Sequence, residues 1–146
     1  MKNRKIRTVP SHELLIKIYH AMLSAHGHRH WWPGDTPFEI MVGAILTQNT
    51  AWKNVENAVA GLKKEKLLSI SAIRQVPLRK LAKVIRPSGY FNQKARKLKA
   101  LIRHMDQEYG GSLKRMKQQL LPALREKLLE VWGIGQETED SILLYA

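Results

Sequence analysis

The last stretch of the chain, Leu124–Ala146, reads LREKLLEVWGIGQETEDSILLYA, and the architecture follows from it. Leu124, Leu128 and Val131 fall on one helical stripe, Trp132-Gly133-Ile134-Gly135 interrupts it, and a second apolar stripe of Ile142, Leu143 and Tyr145 follows. The pattern predicts helix, tight turn, helix. Two glycines flanking one aliphatic residue let the backbone take left-handed angles while Ile134 plugs inward. The second helix starts at once, so its unpaired N–H groups lie beside the glycine amides. Such a corner is a seat for an anion, and a phosphate suits it. These residues alone leave a plainer reading open, an αα-hairpin whose glycines only tighten the corner.

With 146 residues, 44% of them hydrophobic, the chain can bury one core and not two, so a single compact domain with loose ends is expected. Lys and Arg number 25 against 12 Asp and Glu, giving a net charge of +13 and an isoelectric point near 10.2. That is the electrostatic signature of a protein that meets polyanions. Nucleic acid leads among them, because no apolar run is long enough for a membrane span and no helical pattern is both strongly basic and aromatic-faced. The basic start MKNRKIR is not followed by the apolar region of an export signal, so a cytoplasmic location is expected. The absence of cysteine removes disulfides, thiol catalysis, thiolate-held zinc and an iron–sulfur cluster from these residues.

Residues 1–9 form a basic arm, and Ser11 caps a helix with Leu14, Leu15, Ile18, Met22 and Ala25 on one face, ending near Gly27. His26, His28 and His30 alternate after it; with no further ligand fixed nearby, a polar loop explains them better than a metal site. Trp31 and Trp32, in a segment with Pro33 and Gly34, cannot both point into a helical core, so one of them lines a cleft or covers a surface. Thr36-Pro37-Phe38-Glu39 is a capping box with proline at the first helical position. The helix it opens is apolar nearly all round (Ile40, Met41, Val42, Ala44, Ile45, Leu46), which predicts the buried central helix. It breaks at Thr47-Gln48-Asn49-Thr50.

Val55, Ala58, Val59 and Leu62 mark the next helix, Ser69 to Val76 a short one stopped by Pro77, and Leu78 to Ile85 another, closed by Pro87-Ser88-Gly89. Asn92 is expected to cap the longest helix, with Ala95, Leu98, Ile102 and Met105 inward and Lys94, Arg96, Lys97, Lys99 and Arg103 on a solvated face. Gly110-Gly111 ends it, Leu113 to Leu120 is a further short helix, and Pro122 leads into the hairpin. No strand-period alternation or internal repeat stands out, so the fold class is all-α.

VWGIGQETEDSILLYA resembles the helix-hairpin-helix of the endonuclease III family of DNA glycosylases, and within it looks most like the 3-methyladenine glycosylase branch. WWPGDTPFEIMVGAILTQNTAWKNVENAVAGL and IRPSGYFNQKARKLKAL are similar to that family's preceding blocks, in the same order. The resemblance implies a six-helix barrel ending in the helix-hairpin-helix, with the N-terminal helix belonging to an incomplete second lobe. Domain boundaries follow: 1–33 for the arm, helix and Trp-Trp-Pro loop, and 34–146 for the glycosylase domain. The implied partner is double-stranded DNA and the implied process base-excision repair. The family's catalytic aspartate, and in many members the cysteines of an iron–sulfur cluster, lie past the second hairpin helix. No position here matches them, so no catalytic residue is assigned within the chain and a cluster is expected only of a full-length protein. The chain then reads as a piece of a longer protein or a natural remnant, with the stripe Leu14, Leu15, Ile18 and Met22 exposed or paired with a second copy as a dimer.

Bifunctional members carry a lysine two residues after the second hairpin glycine; that position is Glu137, which cannot form an imine, so a monofunctional enzyme without lyase activity is implied. The branch's base pocket corresponds to Trp31, Trp32 and Pro33, and its aromatic wedge to Trp52. Such rings would hold a cationic methylated purine such as 3-methyladenine, the alternative being that they pack a core or a lid. Gln48 matches the position that fills the gap left by a flipped base, though a glutamine there also suits a helix cap. Gly133, Gly135, Gln136 and Glu137 would offer amides to a DNA phosphate, and the carbonyls of Leu129, Val131 and Ile134 match those that hold a monovalent cation in related hairpins. Lys94 and Lys97 would add salt-sensitive attraction, and the acidic pair Glu139-Asp140 would oppose it. Two other classes stay open: a non-catalytic helix-hairpin-helix DNA-binding protein, and an RNA-binding module supported by charge alone.

Overall fold

The computed structural model describes residues 11–28 and 32–146; the basic arm, His30 and Trp31 lie outside the described residues. The chain divides into two compact units, residues 1–31 and 32–146. In the first, α1 (His12–His26) begins where Ser11 Oγ accepts the Leu14 N–H at 3.3 Å, satisfying a donor that the helix itself cannot. No residue of α1 is buried, and Leu14, Leu15, Ile18 and Met22 are all exposed.

The second unit holds α2 (Pro37–Leu46), α3 (Trp52–Lys64), α4 (Ile70–Gln75), α5 (Leu78–Val84), a 3-10 turn at Arg86–Ser88, α6 (Phe91–Tyr109), α7 (Leu113–Lys117), α8 (Leu121–Leu129) and α9 (Gln136–Tyr145). No strand occurs among the described residues, and no helix among them is long and apolar enough to cross a membrane. Six of these helices run seven residues or more (α2, α3, α5, α6, α8 and α9), and the last two are the arms of the hairpin.

The centre of the unit is α2. Thr36 Oγ1 accepts the Glu39 N–H at 3.1 Å, and the Glu39 carboxylate reaches back one residue past the cap, to the Asp35 N–H at 3.3 Å, a variant of the capping box. Met41, Val42, Ala44, Ile45 and Leu46 are buried, each of the larger ones contributing about 2 kcal/mol by leaving water. Helices α3, α6 and α9 all pack on α2, which is why a run apolar on every side is stable here.

Two expectations for α6 are corrected. Its N-cap is Tyr90, in the left-handed region with φ 44°, and Asn92 sits inside the first turn. The Tyr90 carbonyl accepts the Lys94 N–H at 3.0 Å, which starts the helix at Phe91, and no side chain caps its first turn. Lys94 is not on the solvated face but is 2% exposed. Its Nζ donates to the Leu46 carbonyl at 2.7 Å and the Ser88 carbonyl at 2.6 Å, closing the C-terminal end of α2 with a cation. Burial, and secondarily the charge of Lys97, lower its pKa from 10.5 to about 8.

Candidate nucleic-acid interface

The hairpin corner runs from the end of α8 through Val131–Gly135 into α9. The Ile134 N–H closes a tight turn on the Val131 carbonyl at 3.0 Å, and Ile134 is buried as a plug. Of the two glycines, only Gly133 is left-handed, with φ 87°; Gly135 has φ −97° and is ordinary extended backbone, so the expectation of left-handed angles holds for one of them. Gly135 is the N-cap of α9 and no side chain caps that helix. The leading amides of Gln136, Glu137 and Thr138 therefore have no partner within α9, and Gln136 and Glu137 are exposed. Among the cation-site candidates, the carbonyls of Leu129, Val131 and Ile134 lie in this turn, that of Val131 already accepting one hydrogen bond.

Gln48 is joined to this corner. It lies in the polar break after α2, and its Nε2 donates to the Gly133 carbonyl at 3.0 Å and to Thr138 Oγ1 at 2.9 Å. Its Oε1 accepts a hydrogen bond from Lys97 Nζ on α6. The Lys97 stem lies across Gly133, so a Cβ at that glycine would collide with Lys97 Cγ, Cδ and Cε. Loop, long helix and hairpin thus meet through Gln48, Lys97, Gly133 and Thr138.

The acidic pair is neutralised from the other side of the hairpin. Arg125 on α8 places Nη2 at 3.1 Å from Glu139 Oε2 and Nη1 against Asp140 Oδ1. Glu139 is fully buried, and desolvation raises its pKa above 4.5 against the opposing pull of Arg125. The expected opposition to an anion is correspondingly reduced, because one carboxylate points into the fold and both share a guanidinium.

At the far end of α9 is an aromatic cluster. Trp32 stacks on Tyr145, with centroids 5.1 Å apart and planes at 20°, and meets Trp52 edge-on at 5.6 Å and 72°. Trp52 and Pro33 also line a cavity of about 290 Å³ together with Gly43, Asp35, Glu39, Glu56 and Lys63. Lys63 Nζ bridges Asp35 and Glu39 at 2.7 and 2.8 Å. Neither Gln48 nor any hairpin residue lines this cavity. Among the described residues no three His, Asp or Glu side chains group as a metal site.

Of the two lysines expected to attract DNA, Lys94 is buried and bonded to the Leu46 and Ser88 carbonyls, so only Lys97 remains at the corner. Lys94 shares the stripe of Leu98, Leu101 and Met105 at spacings of four, three and four, a signal that the lysine is inward. Tyr145 counted as core apolar, yet it is the ring on which Trp32 stacks. Thr138, three residues after Gly135, and Arg125, two turns before the corner, carried no signal apart from the fold.

Comparison with known proteins matches this geometry. Residues 42–135 fit the profile described as HhH-GPD superfamily base excision DNA repair protein, a span holding Gln48, Trp52, Lys94, Lys97 and both hairpin glycines. A Methanocaldococcus jannaschii protein provisionally named a DNA repair glycosylase is 47% identical over 137 residues, which is 92% of this chain and 61% of that one. Among solved structures, the H. pylori 3-methyladenine DNA glycosylase MagIII, bound to 1,N6-ethenoadenine, superposes with a TM-score of 0.75 at 34% identity, over 92% of this chain and 63% of that one. A trapped endonuclease III–DNA covalent intermediate gives a TM-score of 0.70 at 21% identity, over 94% and 61%, a likeness of fold. The chain thus spans about three-fifths of the length of these relatives. On the profile match, the shared fold and the helix-hairpin-helix that ends it, the chain belongs to the HhH-GPD superfamily of base excision DNA repair proteins.

Proposed function

We propose that the chain is the DNA-gripping and base-recognising part of a monofunctional DNA glycosylase for alkylated purines such as 3-methyladenine. The observation that carries this reading is the division of labour along α9. Its N-terminal end offers open amides beside Gly133 and Lys97, while Tyr145, about 14 Å further along at 1.5 Å per residue, joins Trp32 and Trp52. A flipped nucleotide needs both features: a charged seat for its backbone and flat apolar faces for its base. A methylated purine carries positive charge, and an indole face attracts such a cation by about 1–2 kcal/mol in a site shielded from water. Three carboxylates line the cavity beside Trp52, Asp35 and Glu39 paired with Lys63 and Glu56 with Lys53, which leaves one negative charge in excess.

Gln48 is the candidate for filling the gap left in the duplex, and Trp31 belongs to the same base-binding set by resemblance. Glu137 at the position of the lyase lysine supports base release without strand cleavage. The carboxylate that would stabilise the sugar cation has no counterpart in residues 1–146, so no catalytic step is assigned to a residue of this chain. With no cysteine the same residues offer no thiolate ligand to an iron–sulfur cluster. The carbonyls of Leu129, Val131 and Ile134 keep lone pairs for a monovalent cation, which would add positive charge beside a bound phosphate.

The test is base release from duplex DNA containing 3-methyladenine, for the chain alone and for the chain with its in-frame continuation. Free base without nicked strands is expected from the continued chain. Borohydride-trappable protein–DNA adducts would overturn the monofunctional assignment, and an inert continued chain that still binds duplex would favour a non-catalytic DNA-binding role.

A further inference from the structure

We propose that Lys97 is a positioning residue for Gln48: in the free protein its ammonium holds the glutamine against the hairpin, and a DNA phosphate arriving at the Gly133 corner takes that ammonium away. The inference rests on reading Gln48 as the gap-filling residue and the corner as the phosphate seat. Gln48 has one amide oxygen and two amide hydrogens, and all are engaged: Oε1 by Lys97 Nζ, Nε2 by the Gly133 carbonyl and Thr138 Oγ1. Held this way it has no free donor for an orphaned base, so entering a duplex gap requires leaving this set. The Lys97 stem covers Gly133, one residue before the buried plug Ile134 and three before Gln136, the first of the amides that open α9. A phosphate on those amides comes within reach of the ammonium, and a charge-assisted hydrogen bond to phosphate outcompetes one to a neutral amide. Loading the hairpin therefore removes one of the three hydrogen bonds that hold Gln48, and the glutamine leaves the corner more readily where backbone is already gripped.

This exchange has a consequence that a purely structural tie lacks. If Gln48 and a phosphate compete for one ammonium, removing the glutamine side chain makes the ammonium more available to intact duplex. The experiment is a double-substitution cycle with Gln48→Ala and Lys97→Met, adding Lys97→Arg, on intact duplex and on duplex carrying a tetrahydrofuran abasic analogue, across a salt series. Circular dichroism melting checks that each variant folds. Gln48→Ala is expected to bind intact duplex about three-fold more tightly, a coupling of the size found between contacting residues, while losing preference for the abasic analogue. That gain should vanish in the Lys97→Met background. Lys97→Met should lower the slope of log affinity against log salt by about one, and Lys97→Arg should restore it. Additive effects, or weaker intact-duplex binding by a folded Gln48→Ala, would overturn the exchange. A wild-type protein with no preference for the abasic analogue would instead overturn the gap-filling reading beneath it.

Discussion

Arg125 on α8 and Glu139 on α9 form an ion pair at 3.1 Å whose acidic end is fully buried and whose basic end remains half-exposed. The pair closes the helix-hairpin-helix from the side opposite Lys97. It is an asymmetric arrangement, because the carboxylate loses its water entirely and receives only one guanidinium, shared with Asp140, in return.

Glu139→Gln should therefore stabilise the protein near neutral pH. Burial raises the folded-state pKa of Glu139 above its ordinary 4.5. Between those two values the folded state keeps a proton that the unfolded chain releases, so stability falls as pH rises through the window and the full cost is present above it. Removing the charge should raise Tm at pH 7 by a few degrees, on the order of 1 kcal/mol, with the gain shrinking as pH falls below the folded pKa. Melting curves of both proteins between pH 4 and 8 check this; an equal gain at both ends would show that the charge is not the cause.

Lys94→Met should cost about 2–3 kcal/mol, because the Leu46 and Ser88 carbonyls lose their donor in a dry site. The loss should depend on pH. With the folded-state pKa of Lys94 near 8 and the ordinary value at 10.5, the unfolded chain binds the extra proton in between. Stability of the parent protein consequently gains from Lys94 as pH rises from 8 towards 10.5, and its advantage over Lys94→Met should widen across that range. Urea unfolding at pH 7.5 and 9.5 measures the difference.

The hairpin glycines should part company on substitution. Gly133→Ala meets both a positive φ of 87° and the Lys97 stem, and should destabilise by about 1–3 kcal/mol while displacing Lys97. At Gly135, φ is −97° and a Cβ meets nothing within 4 Å, so Gly135→Ala should fold with stability within about 0.5 kcal/mol of the parent. Duplex binding lost in that folded variant would then report crowding of the phosphate itself. Thermal melting paired with a fluorescence-anisotropy titration separates the two effects.

Trp52→Leu should leave affinity for undamaged duplex unchanged and weaken discrimination for an alkylated cationic base about ten-fold, the value of one cation–π contact of about 1.4 kcal/mol. Competition between methylated and plain duplex for the bound protein is the measurement. Equal loss on both substrates would mean that Trp52 acts through the packing of Trp32 and Tyr145 instead of through the base.

The sequence by itself determined the local grammar of this protein. Periodic apolar residues and capping groups such as Ser11 and Thr36 act within a few residues of themselves, so α1 and α2 begin where their caps predict. The all-round apolar run 40–46 had to be central because no solvated face was available to it, and the Gly-Ile-Gly corner had to turn. Only the tertiary structure decided which charges face water. Lys94 is buried because the carbonyl end of α2 arrives beside it from 48 residues away, and Gln48 meets Gly133 and Thr138 across 85 and 90 residues. Distances of that kind are set by how helices pack, and a single residue's chemistry is silent on which distant partner will satisfy it.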